Sequence, residues 1–200
     1  MIILLIVLAS FAVTEVVGYW LHRLLHSEKI PSLSKAHMWH HLKDYGPNME
    51  QQTEAYVSGA RKRTNVVGLG LEWLLPAAIL VGGVVGVLSL LGVGALYQVI
   101  VIASMLSWTA IMFNHMHDAM HRTSYWMLKV PLLNRWFKKA RHLHDVHHMR
   151  LSDDGRMPLN FGISFFPMDR LFGTFQKEIG PFNEKGYEEA LKVYGSLLKE

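Results

Sequence analysis

The sequence predicts an all-α, multi-pass membrane protein, with about three transmembrane helices and a cytoplasmic helical cap. Three observations predict it. Residues 1–20 and 71–113 are almost wholly apolar; the first block is long enough to cross a bilayer once and the second about twice. All 20 Lys and Arg residues lie outside these blocks. All twelve histidines fall into four tight clusters next to the block ends, mostly at helical spacing.

The first block, MIILLIVLASFAVTEVVGYW, reads as a span over about residues 1–20. A cleaved signal peptide would need a basic n-region and a small-x-small cleavage site. Neither is clear, and cleavage would cut just before His22. Glu15 is an ionisable group inside the span, which is costly and functional by default. It lies seven residues before His22, near the same helical face, and is a candidate for support behind a ligand; a carboxylate snorkelling to the interface is the alternative.

Two histidine clusters follow: His22-Arg-Leu-Leu-His26 and His37-Met-Trp-His40-His41. Residues three and four apart share one face of an α-helix, so these five rings can point inward from two helical segments. Arg61-Lys62-Arg63 reads as a topogenic or lipid-headgroup patch. The second apolar block then forms two antiparallel spans, about 71–92 and 94–114, with a tight turn at Gly92 and Gly94. Seven basic residues lie between Arg23 and Arg63 and thirteen between Arg122 and Lys199. None precedes the first span or lies in the Gly92–Gly94 turn. The positive-inside bias therefore puts both basic stretches, and every histidine cluster, on the cytoplasmic side.

The third and fourth clusters share one pattern, His-x-His-Asp-x-x-His: His115, His117, Asp118 and His121, then His142, His144, Asp145 and His147, with His148 following. His117 with His121, and His144 with His147 and His148, repeat the helical spacing. His115 and His142 lie two residues before a face histidine and should point away from it. Together with Asp118 and Asp145 they are candidates for orienting ring N–H groups from outside the ligand set. Between these clusters, Tyr125–Leu133 is too short and too broken by Pro131 to span; it suits the interface, with Trp126 and Trp136 as anchors. Leu159–Phe175 is aromatic-rich and expected to pack under the histidine helices or lie at the membrane surface. The tail after Ile179 reads as a polar, solvent-facing cap. No linker separates a second domain, so residues 1–200 form one.

Neutral imidazole is the commonest protein metal ligand, and this chain has no cysteine to share the work. That absence excludes disulfides, thiolate haem and iron–sulfur clusters within the chain. The formal charge of +4 is spread over loops without a nucleic-acid motif, so no nucleic-acid partner is expected. Ten histidines, His22, His26, His37, His40, His41, His117, His121, His144, His147 and His148, are the candidate metal ligands, enough for two ions. No His-Glu-x-x-His supports a zincin, no Glu-x-x-His supports a carboxylate-bridged di-iron bundle, and no dinucleotide fingerprint is present. Two readings compete with an oxidative enzyme: a histidine-rich metal transporter or binding protein, and a zinc-dependent membrane hydrolase. Ligands on a transport path would be expected within spans rather than beyond their ends.

With these residues assembled, the chain resembles the fatty acid hydroxylase and sterol desaturase superfamily of membrane di-iron oxygenases, and is also similar to bacterial carotene hydroxylases. The resemblance runs from about Glu15 to Phe175. It rests on His22/His26, His37/His40/His41, His117/His121 and His144/His147/His148, with Asn160-Phe161-Gly162 and Asp169-Arg-Leu-Phe-Gly-Thr174 as the family's C-terminal ending. The chain is shorter than relatives with four spans, and no electron-carrier domain is fused to it. The resemblance implies two Fe ions held by about ten histidines, with O2 as co-substrate. It implies hydroxylation or desaturation at an unactivated C–H site of an apolar lipid, whether fatty acyl, sterol or carotenoid. Electrons would come from a separate ferredoxin or b-type cytochrome with its reductase. No catalytic group beyond the metal ligands is required, since the metal carries the hard step.

Overall fold

The computed structural model describes residues 1–53 and 71–199, and every described element is helical. The Arg61-Lys62-Arg63 patch lies outside the described residues. Helix α1 is Ile2–Leu25 and α2 is Pro31–Trp39, which runs on as a π-helical turn at His40–Asp44. A 3₁₀ turn at Leu71–Trp73 leads into α3, Leu74–Leu90. Helix α4 spans Ala95–Met120 and is π-helical over Thr109–Met116. Helix α5 is Pro131–Met149, α6 is the short Pro167–Leu171, and α7 is Glu184–Val193.

Helices α1 and α4 are each long and apolar enough to cross a membrane. Only 6% of the apolar window of α4 is buried against protein, which is opposite to the core helix of a soluble domain. Helix α3 has 17 residues, about 26 Å at 1.5 Å per residue against a hydrocarbon core of about 30 Å. It falls short of the 71–92 expected because a 3₁₀ turn occupies its first residues and the chain turns after Leu90. Gly92 makes that turn at φ 72°, a conformation open to glycine.

Helix α1 packs along α4. Phe11 stacks on Trp108 with centroids 4.3 Å apart. At Gly18 the Phe113 ring lies so close to the helix that any Cβ would collide with it. Ser10 and Thr14 satisfy their hydroxyls by donating to the carbonyls of Ile6 and Ser10, four residues back.

Two apolar cores flank the histidine region. One joins the end of α4 to α5 through Met112, Met116, Met120, Phe137, Ala140 and Ile163. The other joins α2 to the C-terminal segment through Met38, Leu42, Leu151, Met157, Ala190 and Tyr194. Flexible methionine fills such irregular gaps between helices of different direction. The tail after Ile179 is thus more than a solvent-facing cap. Its helix α7 buries Ala190 and its C-cap residue Tyr194 is buried too, with the Tyr194 hydroxyl donating to the carbonyl of His26 at 2.8 Å. An amphipathic face spaced at 187, 190, 191 and 194 makes this possible.

Candidate metal centre

Ten histidines line the interior where α1, α2, α4 and α5 meet. Their nitrogens form two groups of five: His22, His26, His37, His41 and His147, then His40, His117, His121, His144 and His148, each with its donor atoms within 4.8 Å of one another. Helix α1 serves only the first group and α4 only the second. The other two segments serve both: His40 and His41 are sequence neighbours in different groups, as are His147 and His148. The groups touch, with the rings of His41 and His148 stacked 3.9 Å apart. The i, i+3, i+4 spacing was expected to direct whole clusters to one face. Adjacent residues on a helix diverge by about 100°, and that divergence divides the second and fourth clusters between the two groups.

Backbone carbonyls orient several rings. His22 Nδ1 donates to Phe161 O at 2.6 Å, His147 Nδ1 to Leu159 O at 2.6 Å and His148 Nδ1 to Tyr45 O at 3.3 Å. A carbonyl can only accept, so each Nδ1 carries the proton and each Nε2 presents a bare lone pair inward. Burial, followed by the neighbouring imidazoles, holds His26, His37, His41, His144 and His147 well below the usual histidine pKa; for His148 burial again leads. These rings are neutral at pH 7, as metal ligation requires.

The donor set fits a pair of transition-metal ions. Buried ring nitrogens with no hydrogen-bond partner include His22 Nε2, His26 Nδ1, both nitrogens of His41, His144 Nδ1 and His148 Nε2. Such orphaned polar atoms are costly without a ligand. Nε2 atoms face one another at 2.8 Å for His37–His26, 3.1 Å for His26–His147 and 3.0 Å for His144–His121. Two imidazole nitrogens at right angles around one ion, with bonds of about 2.0–2.1 Å, would be separated by about 2.9 Å.

The five supporting candidates behave differently from one another. Asp118 has Oδ1 3.7 Å from His117 Nδ1. Asp145 instead accepts from Gln52 Nε2 at 2.8 Å and faces Arg141, and burial raises its pKa to about 7. Glu15 accepts from Trp108 Nε1 at 2.7 Å and Ser164 Oγ at 2.6 Å. Two helical turns, about 10 Å, separate it from His22, and its bond to Trp108 ties α1 to α4. His115 and His142 do point away from the ligand face. Both are exposed; His115 lies against Tyr125 and His142 donates to Lys177 O at 2.7 Å.

Tyr45 and the carbonyls of Leu159 and Phe161 carried no side-chain signal in the sequence. The Tyr45 ring stacks on His121 at 3.9 Å while its carbonyl holds His148. The Phe161 ring meets His22, His26 and His147 edge-on, with centroids 5.8, 5.5 and 5.6 Å away, and closes the first group. A cavity of about 230 Å³ lined by Arg23, His26, Arg156, Met157, Pro158 and Phe161 opens beside it.

No curated protein and no solved structure matches the chain. The fatty acid hydroxylase family does match, over residues 7–174. That stretch takes in most of α1, all four histidine clusters and the loop that closes over His22 and His147, and the chain belongs to the fatty acid hydroxylase family.

Proposed function

We propose that the protein is a membrane-bound, non-haem di-iron oxygenase that hydroxylates or desaturates an unactivated C–H site of an apolar lipid. The observation that carries this reading is the pair of five-imidazole groups, in contact and sharing two helices, within a fatty acid hydroxylase chain. Neutral nitrogen donors suit iron among first-row metals. Two irons held there would supply the activation of O2 and the attack on the C–H bond.

The chain's own residues do the rest. His22, His147 and His148 are locked in the Nδ1–H tautomer by carbonyls, so their Nε2 atoms point at fixed positions without a proton to lose. Phe161 and the two methionine-rich cores keep water from the rings, which protects reactive species from side reactions. Apolar α1, α3 and α4 supply a lipid-facing surface next to the site, suited to a substrate drawn from the bilayer. No dinucleotide fingerprint occurs, so electrons come from a separate ferredoxin or b-type cytochrome. The basic stretches around the histidine clusters favour a cytoplasmic site, with three spans and the Gly92–Gly94 turn on the far side.

The test is metal analysis and Mössbauer spectroscopy of anaerobically purified protein, with lipid profiles of cells with and without it. Two irons per chain, reductant-dependent O2 uptake and a hydroxylated or desaturated lipid are expected. Tightly bound zinc without O2 uptake would replace this reading with a hydrolase. For topology, Gly94→Cys should react with impermeant thiol reagents from outside intact cells, whereas Lys43→Cys and Lys138→Cys should not. Labelling of Lys43→Cys and Lys138→Cys on opposite sides would rule out one shared site.

A further inference from the structure

The two rings held by the 159–161 loop, His22 and His147, belong to the same group of five. The loop grips them through two peptide units. In a trans peptide the C=O and the following N–H point in opposite directions, so anchoring one end aims the other. The Leu159 carbonyl shares its peptide unit with the N–H of Asn160, which donates to Thr174 O at 2.9 Å. The Phe161 carbonyl shares its unit with the N–H of Gly162, which donates to Asp169 Oδ2 at 2.8 Å. Asp169 Oδ1 also accepts from Phe161 N at 2.7 Å and from Thr174 Oγ1 at 2.8 Å.

Asp169 is fully buried at 0% exposure, and burial raises its pKa while these three donors oppose the rise. Burying a carboxylate is expensive unless every oxygen is satisfied, and here one of the donors that satisfy it, Gly162 N–H, is the back of the peptide that holds His22, while Phe161 N–H and the Thr174 hydroxyl supply the others. Asn160 completes the clasp. It sits at φ 54°, a left-handed conformation that asparagine tolerates. Its side chain donates to Leu143 O and Gln176 O and accepts from Gln176 N. Gly162 leaves no room for a Cβ against the Phe165 carbonyl.

We infer that Asp169 is a positioning residue for one metal position: by fixing the Phe161–Gly162 and Asn160–Phe161 peptides it aims His22, and through Thr174 it steadies the carbonyl behind His147, setting the affinity of the first five-histidine group selectively. This rests on the reading of the ten histidines as metal ligands. Through it, the C-terminal Asp169–Thr174 segment must dock before that group can bind an ion well.

The experiment is anaerobic titration of metal-free, full-length protein with ferrous iron, counted by mass spectrometry and resolved by Mössbauer spectroscopy, with helical content followed by circular dichroism. Wild type should bind two ions. Asp169→Asn should weaken one position about 10–100-fold, the usual effect of losing an outer hydrogen bond to a ligand, and leave the second unchanged. At an iron concentration that fills only the unweakened position of Asp169→Asn, adding His22→Ala should cost no further ion, whereas adding His121→Ala should remove the one that remains. Lys185→Ala, on the surface, should titrate as wild type. If Asp169→Asn loses helical content, Thr174→Val decides, since it removes only the hydroxyl donor to Asp169 and should weaken the same position by a smaller factor. Wild type binding fewer than two ions would sink the metal-site reading itself. Wild type binding two, with the folded variant losing neither or both equally, would overturn the role of Asp169 alone.

Discussion

Helices α3 and α5 have nearly the same length, 17 and 19 residues, and are built by opposite rules. Helix α3 contains no charged residue and buries none of its side chains against the protein. Helix α5 carries Arg135, Lys138, Lys139 and Arg141 on one side and buries Phe137, Ala140, Leu143, Val146 and three histidines on the other. A helix apolar all round has its partner in the surrounding medium; an amphipathic one has its partner in the chain. On the proposed three-span reading, the first kind holds the protein in the bilayer. The second kind orients donor atoms, because its rotamers are held by neighbours and carbonyls.

Breaking the packed side should have the largest effects. His147→Ala removes a proposed ligand and the ring that donates to the Leu159 carbonyl, and should bring activity to background with loss of one bound metal, measured by metal analysis and turnover. Phe137→Ala in the α4–α5 core, at 0% exposure, should cost about 3–5 kcal/mol in detergent-solubilised protein, read from denaturant midpoints. The apolar helix α3 calls for a different perturbation. Ile79 is 65% exposed, so Ile79→Ala should barely move the detergent midpoint. Ile79→Arg should cost about 2.5–3.5 kcal/mol of insertion near a span centre, read as lost membrane fraction. Equal insertion of both variants would mean that α3 does not face lipid.

A smaller effect separates the regions by pH. Unfolded imidazoles take up protons below about pH 6.5, while His26, His37, His41, His144, His147 and His148 resist protonation in the fold. The unfolded state then binds more protons, so stability of the metal-free protein falls as pH drops below about 6.5. Its Tm should be lower at pH 5.5 than at pH 7.5; an unchanged Tm would mean the rings are solvated. Smallest of all, Glu189→Gln breaks the exposed pair with Lys192 and should change stability by no more than about 0.5 kcal/mol.

The sequence made the apolar helices and the ligand types readable, for distinct reasons. Hydropathy marks α1 and α4 because lipid contact needs no pattern beyond length. The Gly92 turn was visible because only backbone freedom was at stake. Histidine spacing pointed to inward rings, but spacing along one helix cannot say how neighbouring residues divide between two sites; that depends on how α2 and α5 cross. The supporting groups were the least legible. Asp145 and Glu15 advertised themselves as charges and bond to Gln52 and Trp108. The groups that hold His22 and His147 are backbone oxygens, which every residue has and no motif marks. Asn160, Phe161 and Asp169 entered only through resemblance, and their roles emerge from the peptide planes they fix.

The division of His40 from His41, and of His147 from His148, between the two groups has a mechanical consequence. In each pair consecutive Cα atoms are about 3.8 Å apart, a length no thermal motion can stretch. The two halves of the centre are therefore joined by a pair of inextensible tethers, one in each of two helical segments. Closing or opening of the surrounding loops can tilt the assembly, but parting its halves takes a change of side-chain rotamer rather than a stretch of the backbone.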